Sequence, residues 1–183
     1  VKACRQAFTI IEIMLVVVVI GVVATIAAPR IMRKPPSAKW ENVLEELNNL
    51  VSYARQEAIA NYKIYRLHFK ITRENRSLVQ VELEQDDQEK PVRKLYTTVK
   101  SYYFNPQYSF PEPITMHGVY HSKTNELEEN NLHAYCYIIP NGLVQATWIH
   151  LERTNDKKST VTFEMQPFFG KFVLRKNFIK PKR

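Results

Sequence analysis

Hydrophobic side chains fall along this chain in three patterns, and each predicts a different element. From Phe8 to Ala28 the sequence FTIIEIMLVVVVIGVVATIAA is apolar on every side, with Glu12 as its one ionisable residue. A helix of that length spans about 30 Å, the thickness of a bilayer's hydrocarbon core. From Ser37 to about Asn61 apolar residues recur at Trp40, Val43, Leu44, Leu47, Leu50, Val51, Ala54 and Ala58. That spacing is the stripe of an amphipathic helix, with Glu41, Glu45, Asn48, Ser52 and Arg55 on the opposite face. After residue 62 the period shortens to two. Tyr65, Leu67, Phe69 and Ile71 alternate with Arg66, His68 and Lys70, and Val79, Val81 and Leu83 alternate with Gln80, Glu82 and Glu84.

The remainder reads as short strands and turns. Residues 85–94 form a charged loop, 95–104 are strand-like with mixed phase, and 105–113 carry Pro106, Pro111 and Pro113 and read as loop. Ile114–His121 is a short strand and 122–132 a polar loop. Ala134–Ile139 is a buried strand closed by the turn Pro140-Asn141-Gly142, and Leu143–Glu152 is the next. A turn at Asn155–Lys158, a strand through Val161, Phe163 and Met165, a turn at Pro167–Gly170 and a strand at Phe172–Leu174 complete the chain. The predicted class is α+β: a stem helix and a second helix packed on a β-rich head of about six to eight mostly antiparallel strands. Pro35-Pro36, poor in a helix interior and good at its start, predicts a hinge between the helices.

Composition narrows the function. With 183 residues, 45% apolar and 24% charged, the chain is of ordinary globular make-up, and four glycines exclude a glycine-rich repeat. Two cysteines, Cys4 and Cys136, are too few for a disulfide scaffold, and Cys136 in AYCYII is expected to be a small buried residue. No GxSxG, HExxH, P-loop or GxGxxG pattern is present, so the chain is not expected to be an enzyme or to bind a cofactor. His117 and His121 have an H-x3-H spacing, but Gly118 and Val119 argue for strand or turn rather than a metal-binding helix. His68, His133 and His150 are expected to be scattered and exposed. Asp86, Asp87 and Glu89 read as a solvated loop rather than a calcium site. The net charge of +8 leaves acidic partners open. Arg175, Lys176, Lys180, Lys182 and Arg183 surround Phe178 in a basic tail. Such a tail suits nucleic-acid phosphates and a stacked base, or else anionic lipid or plain solvent.

Glu12 is the residue that needs explaining. A carboxylate in mid-membrane costs about 2.5–3.5 kcal/mol on insertion scales, so it needs a partner. A cut between Ala7 and Phe8 would create an α-amino group four residues before Glu12, on the same helix face. The competing reading is a secretory signal peptide cleaved near Ala24–Ala28, although such apolar cores usually run only about 7–15 residues.

The basic leader with Lys2 and Arg5, the Ala7/Phe8 junction, Phe8-Thr9-Ile10-Ile11-Glu12 and the apolar run closely resemble the N-terminus of type IV pilins and type II secretion pseudopilins. The resemblance implies that a prepilin peptidase cuts before Phe8 and methylates it, and that Thr9 and Glu12 serve assembly. Ala7 stands where the family has glycine, and Pro29 matches a proline at the end of the family's apolar stem. Ala54-Arg55-Gln56-Glu57-Ala58-Ile59, and the later order Pro-Asn-Gly, strand, strand, Gln-Pro-Phe-Phe-Gly-Lys, strand, resemble the H-type minor pseudopilin (GspH/FimT-like) family.

The implied organisation is leader 1–7, transmembrane stem 8–29, hinge 30–36, amphipathic helix 37–62 and periplasmic head 63–183, with 85–133 as a variable insertion. Charge leaves orientation open, because Lys2 and Arg5 precede the stem while Arg30, Arg33 and Lys34 follow it. The resemblance puts the leader in the cytoplasm. The implied function is a minor pseudopilin of a type II secretion pseudopilus, in the bacterial inner membrane with its head in the periplasm, used in protein export. Its partners would be the prepilin peptidase, other pseudopilins or pilins, and inner-membrane lipid. The alternative is a minor type IV pilin (FimT-like) serving pilus biogenesis or DNA uptake. If Cys4 leaves with the leader, Cys136 has no partner within the chain. Many type IV pilins close a C-terminal disulfide loop, so this favours the pseudopilin.

Overall fold

A computed structural model describes residues 10–32, 37–72, 74, 76–86, 94–121, 123–153 and 156–179. The chain divides into two units, Val1–Lys39 and Trp40–Arg183.

The first unit carries α1 (Ile10–Met32). Ile and Val dominate it, and the helix continues past Pro29. Of the hinge expected at 30–36, Arg30–Met32 are helical, and residues 33–36 lie outside the described residues. Among the described residues no helix is long and apolar enough to cross a membrane. Side chains of α1 are described only from Ile10 to Val23, so the expected span Phe8–Ala28 lies partly outside them.

In the second unit α2 (Ser37–Asn61) turns its predicted stripe inward from Trp40 onward. Trp40, Val43, Leu47, Leu50, Val51, Ala54 and Ala58 are buried. Tyr62, at φ 52°, ends the helix. The first sheet contains β1 (Tyr65–Ile71), β2 (Ser77–Asp86), β3 (Lys94–Thr98), β4 (Gln107–Ser109) and, after the helix named below, β6 (His133–Ile138). Its order is β3-β2-β1-β6, with β4 also paired to β2. The second sheet holds β5 (Ile114–Tyr120), β7 (Trp148–Arg153), β8 (Asp156–Gln166) and β9 (Lys171–Lys176) in that order. A short α3 (Glu126–Glu129) precedes β6. All the strand pairings are antiparallel. One apolar core joins the inner face of α2 to both sheets, through Leu67, Phe69, Val81 and Cys136 on one and Ile149, Leu151, Phe163 and Phe172 on the other.

Amide side chains occupy sheet edges. Asn48 of α2 donates to the carbonyl of Phe172 at 3.2 Å and accepts from its amide at 2.6 Å, which engages the edge of β9. Asn125 accepts from the Val119 amide on β5, and Gln145 accepts from the Tyr137 amide on β6. An edge strand left bare is a template for unwanted pairing, and these amides take up part of it.

Several predicted boundaries shift. The proline-rich 105–113 segment contains β4, because Gln107–Ser109 pair with Leu78–Gln80 between the prolines. The polar 122–132 segment contains α3, whose start Asn125 caps by accepting from the Leu127 amide. The strand expected at Leu143–Glu152 begins only at Trp148. Residues 143–147 instead bond to Tyr137, Ile139, Met165 and Pro167 as a connection between the sheets. Of the turn expected at Asn155–Lys158, residues 156–158 belong to β8, and Asn155 lies outside the described residues. The charged loop is likewise shorter, with Gln85 and Asp86 in β2 and Lys94 in β3, while 87–93 lie outside the described residues. The segment 85–133 supplies β3 and β4 to one sheet and β5 to the other.

Candidate functional site

The processing and assembly residues expected from the sequence, Ala7, Phe8, Thr9 and Glu12, fall at or before the start of α1. Ala7, Phe8 and Thr9 lie outside the described residues, and Glu12 sits in the helix's first turn with its side chain exposed. Around it the apolar side chains face outward on every side, from Ile10 at 81% exposed to Val16 at 49%. A helix apolar all round is suited to burial in lipid or among neighbouring helices, not to water.

The outer face of the first sheet carries a network the residue pattern did not predict. Alternation puts Arg66, His68 and Lys70 of β1 beside Gln80 and Glu82 of β2 and beside His133, Tyr135 and Tyr137 of β6. Glu82 accepts from Arg66 at 2.7 Å, from the Gln80 amide at 2.6 Å and from His68 Nδ1 at 2.8 Å. His68 Nε2 meets His133 Nδ1 at 2.7 Å, a geometry in which one of the two nitrogens carries the shared proton. The Arg66 guanidinium is 3.5 Å from the Tyr96 ring centre and 4.0 Å from that of Tyr135. Burial alone would raise the Glu82 pKa. Hydrogen bonds from His68, Gln80 and Arg66, with the charge on His68, outweigh it and hold Glu82 at about 2. The His133 pKa is lowered by burial and by His68 and Lys70.

His68 is therefore buried and His150 is 2% exposed, and His68 and His133 are in contact. This corrects the expectation of scattered, exposed histidines. The signal lay in register. Once β1 pairs with β2 and β6, the polar side of the alternation forms one continuous surface. His117 and His121 have different partners: His117 lies beside the Phe178 ring, and His121 Nδ1 lies 3.2 Å from the Ala146 carbonyl. Among the described residues no group of His, Cys, Asp and Glu could hold a metal ion. Cys136 is buried, and desolvation raises its thiol to about 12.

Of the basic tail, Arg175 and Lys176 end β9, and Lys180, Lys182 and Arg183 lie outside the described residues. Arg175 Nε donates to Glu164 at 2.8 Å. Phe178 stacks on His150, with centroids 4.5 Å apart and planes 6° apart, and on His117 at 5.5 Å. Ile179 is tied down by its amide to Thr162 Oγ1 at 3.0 Å and its carbonyl to His150 Nε2 at 3.1 Å.

The prokaryotic N-terminal methylation motif matches residues 2–28. Two crystal or solved structures of the minor pseudopilin EpsH, from the type II secretion system of Vibrio cholerae, match the fold. One is 9% identical with a TM-score of 0.52 and covers 74% of this chain and 94% of EpsH. The other is 10% identical with a TM-score of 0.50 and covers 79% and 98%. The chain carries the methylation motif on a pilin-like fold. No curated protein matches it.

Proposed function

We propose that this chain is a minor pseudopilin, a structural subunit of a type II secretion pseudopilus. Prepilin peptidase would cut between Ala7 and Phe8 and methylate Phe8. The stem Phe8–Ala28 would hold the subunit in the inner membrane, with its head in the periplasm, until it enters the fibre. There the stem would pack against neighbouring stems, and Glu12, with Thr9 beside it, would set register against a neighbour's new amino terminus. The observation that carries this reading is the run of apolar side chains exposed from Ile10 to Val23, interrupted by one carboxylate inside a methylation motif. A bare apolar surface of that extent needs lipid or other stems around it.

Mass spectrometry of the mature protein tests the processing, with methylated Phe8 as the expected first residue. A start at residue 25 or later would favour secretion by an ordinary signal peptide instead. Glu12→Ala is expected to enter the membrane normally and to be excluded from fibres. Normal incorporation would remove the register role.

The alternative, a minor type IV pilin that captures DNA, draws on Arg175, Lys176, Lys180, Lys182 and Arg183. Arg175 is already paired with Glu164, and the Phe178 ring already stacks with those of His150 and His117. Gel shifts with duplex DNA over a salt series separate the readings, and the pseudopilin reading expects no salt-sensitive binding.

A further inference from the structure

Two left-handed residues form the corner where α3 leads into β6. Asn131 takes φ 51° and Leu132 φ 70°. Asparagine tolerates that backbone, but a leucine there is strained. Side-chain burial does not offset the strain, because Leu132 is 47% exposed. Hydrogen bonds hold the corner instead. The Leu132 amide donates to the Leu127 carbonyl at 2.8 Å, that of His133 to Asn130 at 3.1 Å, and that of Ile71 on β1 to Leu132 at 3.1 Å. The next residue is His133, whose ring meets that of His68.

The number of protons on this histidine pair decides whether the two rings can touch. Glu82, its pKa held at about 2, is ionised and only accepts, so His68 Nδ1 carries the hydrogen between them. With no proton added, His68 Nε2 is bare and accepts from His133 Nδ1. With one added, one ring is an imidazolium that donates to the other, and the contact survives. With two, both facing nitrogens carry hydrogens and two like charges sit on rings whose centres are 5.0 Å apart. The 2.7 Å contact is then lost.

The surroundings determine which ring yields. On β1, Arg66 and Lys70 flank His68 with positive charge, and Lys70 donates to Gln80 of β2 at 3.0 Å. Glu82 of β2 opposes that charge, Tyr96 of β3 meets Arg66, and Tyr135 of β6 lies against the His68 ring. At the β1–β2 turn Glu74 faces Arg76. On α3, Glu126 accepts from Asn130 and Glu128 from Asn125, while Glu129 is exposed. His68 is thus enclosed between Glu82 and Tyr135, whereas His133 is half-buried at the start of its strand. Burial, His68 and Lys70 lower the His133 pKa from 6.5, so the second proton arrives only in mild acid.

We propose that the His68–His133 contact is a proton-operated latch on the α3–β6 corner, closed while the pair holds up to one added proton and open when it holds two. Charge on His68 and Lys70 then keeps the His133 ring away, and the strained Asn131–Leu132 backbone loses the anchor beside it. The loosening reaches α3 and its cap Asn125, whose side chain accepts from the Val119 amide at 3.1 Å. Acid thereby uncovers part of the β5 edge, where bare backbone can pair with another strand. The latch does not depend on the fibre reading above.

Hydrogen exchange on the full-length chain in lipid nanodiscs, with the pH dependence of the chemical step removed, tests this. From about pH 7.5 to about pH 5, exchange at Ile71, Leu132 and Val119 is expected to quicken about tenfold while Phe163 stays protected. Glu82 titrates far below that window. Histidine side-chain NMR on the same sample should show the pair titrating in two steps, with exchange quickening only at the second. His133→Gln keeps a hydrogen-bonding side chain that takes no proton, and should hold the slow exchange throughout. His133→Arg carries a fixed charge, and should exchange fast at the corner already at the upper pH. The latch is overturned by exchange that does not change with pH, by the same acid response in His133→Gln, or by an equal quickening at Phe163.

Discussion

Glu82 illustrates how a charged residue comes to be buried in this head. Its carboxylate has only 7% of its side chain exposed, and it stays ionised because Arg66, His68 and Gln80 all donate to it. Removing one partner from such a buried pair strands the others. Glu82→Ala is expected to cost roughly 3–5 kcal/mol in urea unfolding, because it leaves Arg66 and His68 without their acceptor. The alternation of β1 and β2 identified Glu82 and His68 as outward-facing, and that was correct as far as direction goes. Their burial was illegible because it depends on Tyr135 and His133, which a separate segment of chain supplies. Gly170 is a second residue whose role appears only in three dimensions. Gly170→Ala combines left-handed backbone with a collision against Arg55, and is expected to lose about 1–2 kcal/mol in thermal unfolding.

At the scale of elements, α2 was the most legible, since the stripe from Trp40 to Ala58 is the face it buries. Its outward polar residues proved just as important. Asn48, on the polar side of the helix wheel, holds both backbone groups of Phe172. Asn48→Ala is expected to lower stability by about 1–3 kcal/mol and to speed amide exchange at Phe172, measured by hydrogen exchange. The connection at 143–147 was misread as strand for a related reason. Leu143 and Val144 have strand-like character, but the connection they open bonds to two sheets at once, through Gln145 to Tyr137 on one side and Thr147 to Met165 on the other. Residue preference alone does not reveal which partner a backbone amide finds. The contrary error was β4, where three residues between prolines still pair because β2 is long enough to receive both β3 and β4 on one edge.

At the scale of the whole molecule, two depressed pKa values among the described residues shape the acid response. Glu82 falls from 4.5 to about 2, so its contribution is present above pH 4.5 and is lost as the pH drops toward 2. His133 lies below its usual 6.5, so its contribution is present above pH 6.5 and declines as the pH falls through its folded value. Both groups bind protons more readily when unfolded, so thermal stability should fall with pH below about 6.5. Glu82→Gln should flatten that profile below pH 4.5. Cys136 acts at the other extreme. Its thiol, raised to about 12, should resist alkylation in the native state and react at the normal rate in urea.

The amino-acid sequence by itself determined the apolar N-terminal helix with Glu12 in its first turn, the amphipathic helix and the β-rich character of the rest. Each of these is a local periodicity that one stretch of chain carries alone. Only the tertiary structure decided that nine strands, among the described residues, divide between two sheets. It also decided that His68 meets His133 across β1 and β6, and that Arg55 stiffens a turn more than a hundred residues away. Contacts between segments so distant in sequence are set by register and packing, and no periodicity within either segment specifies them.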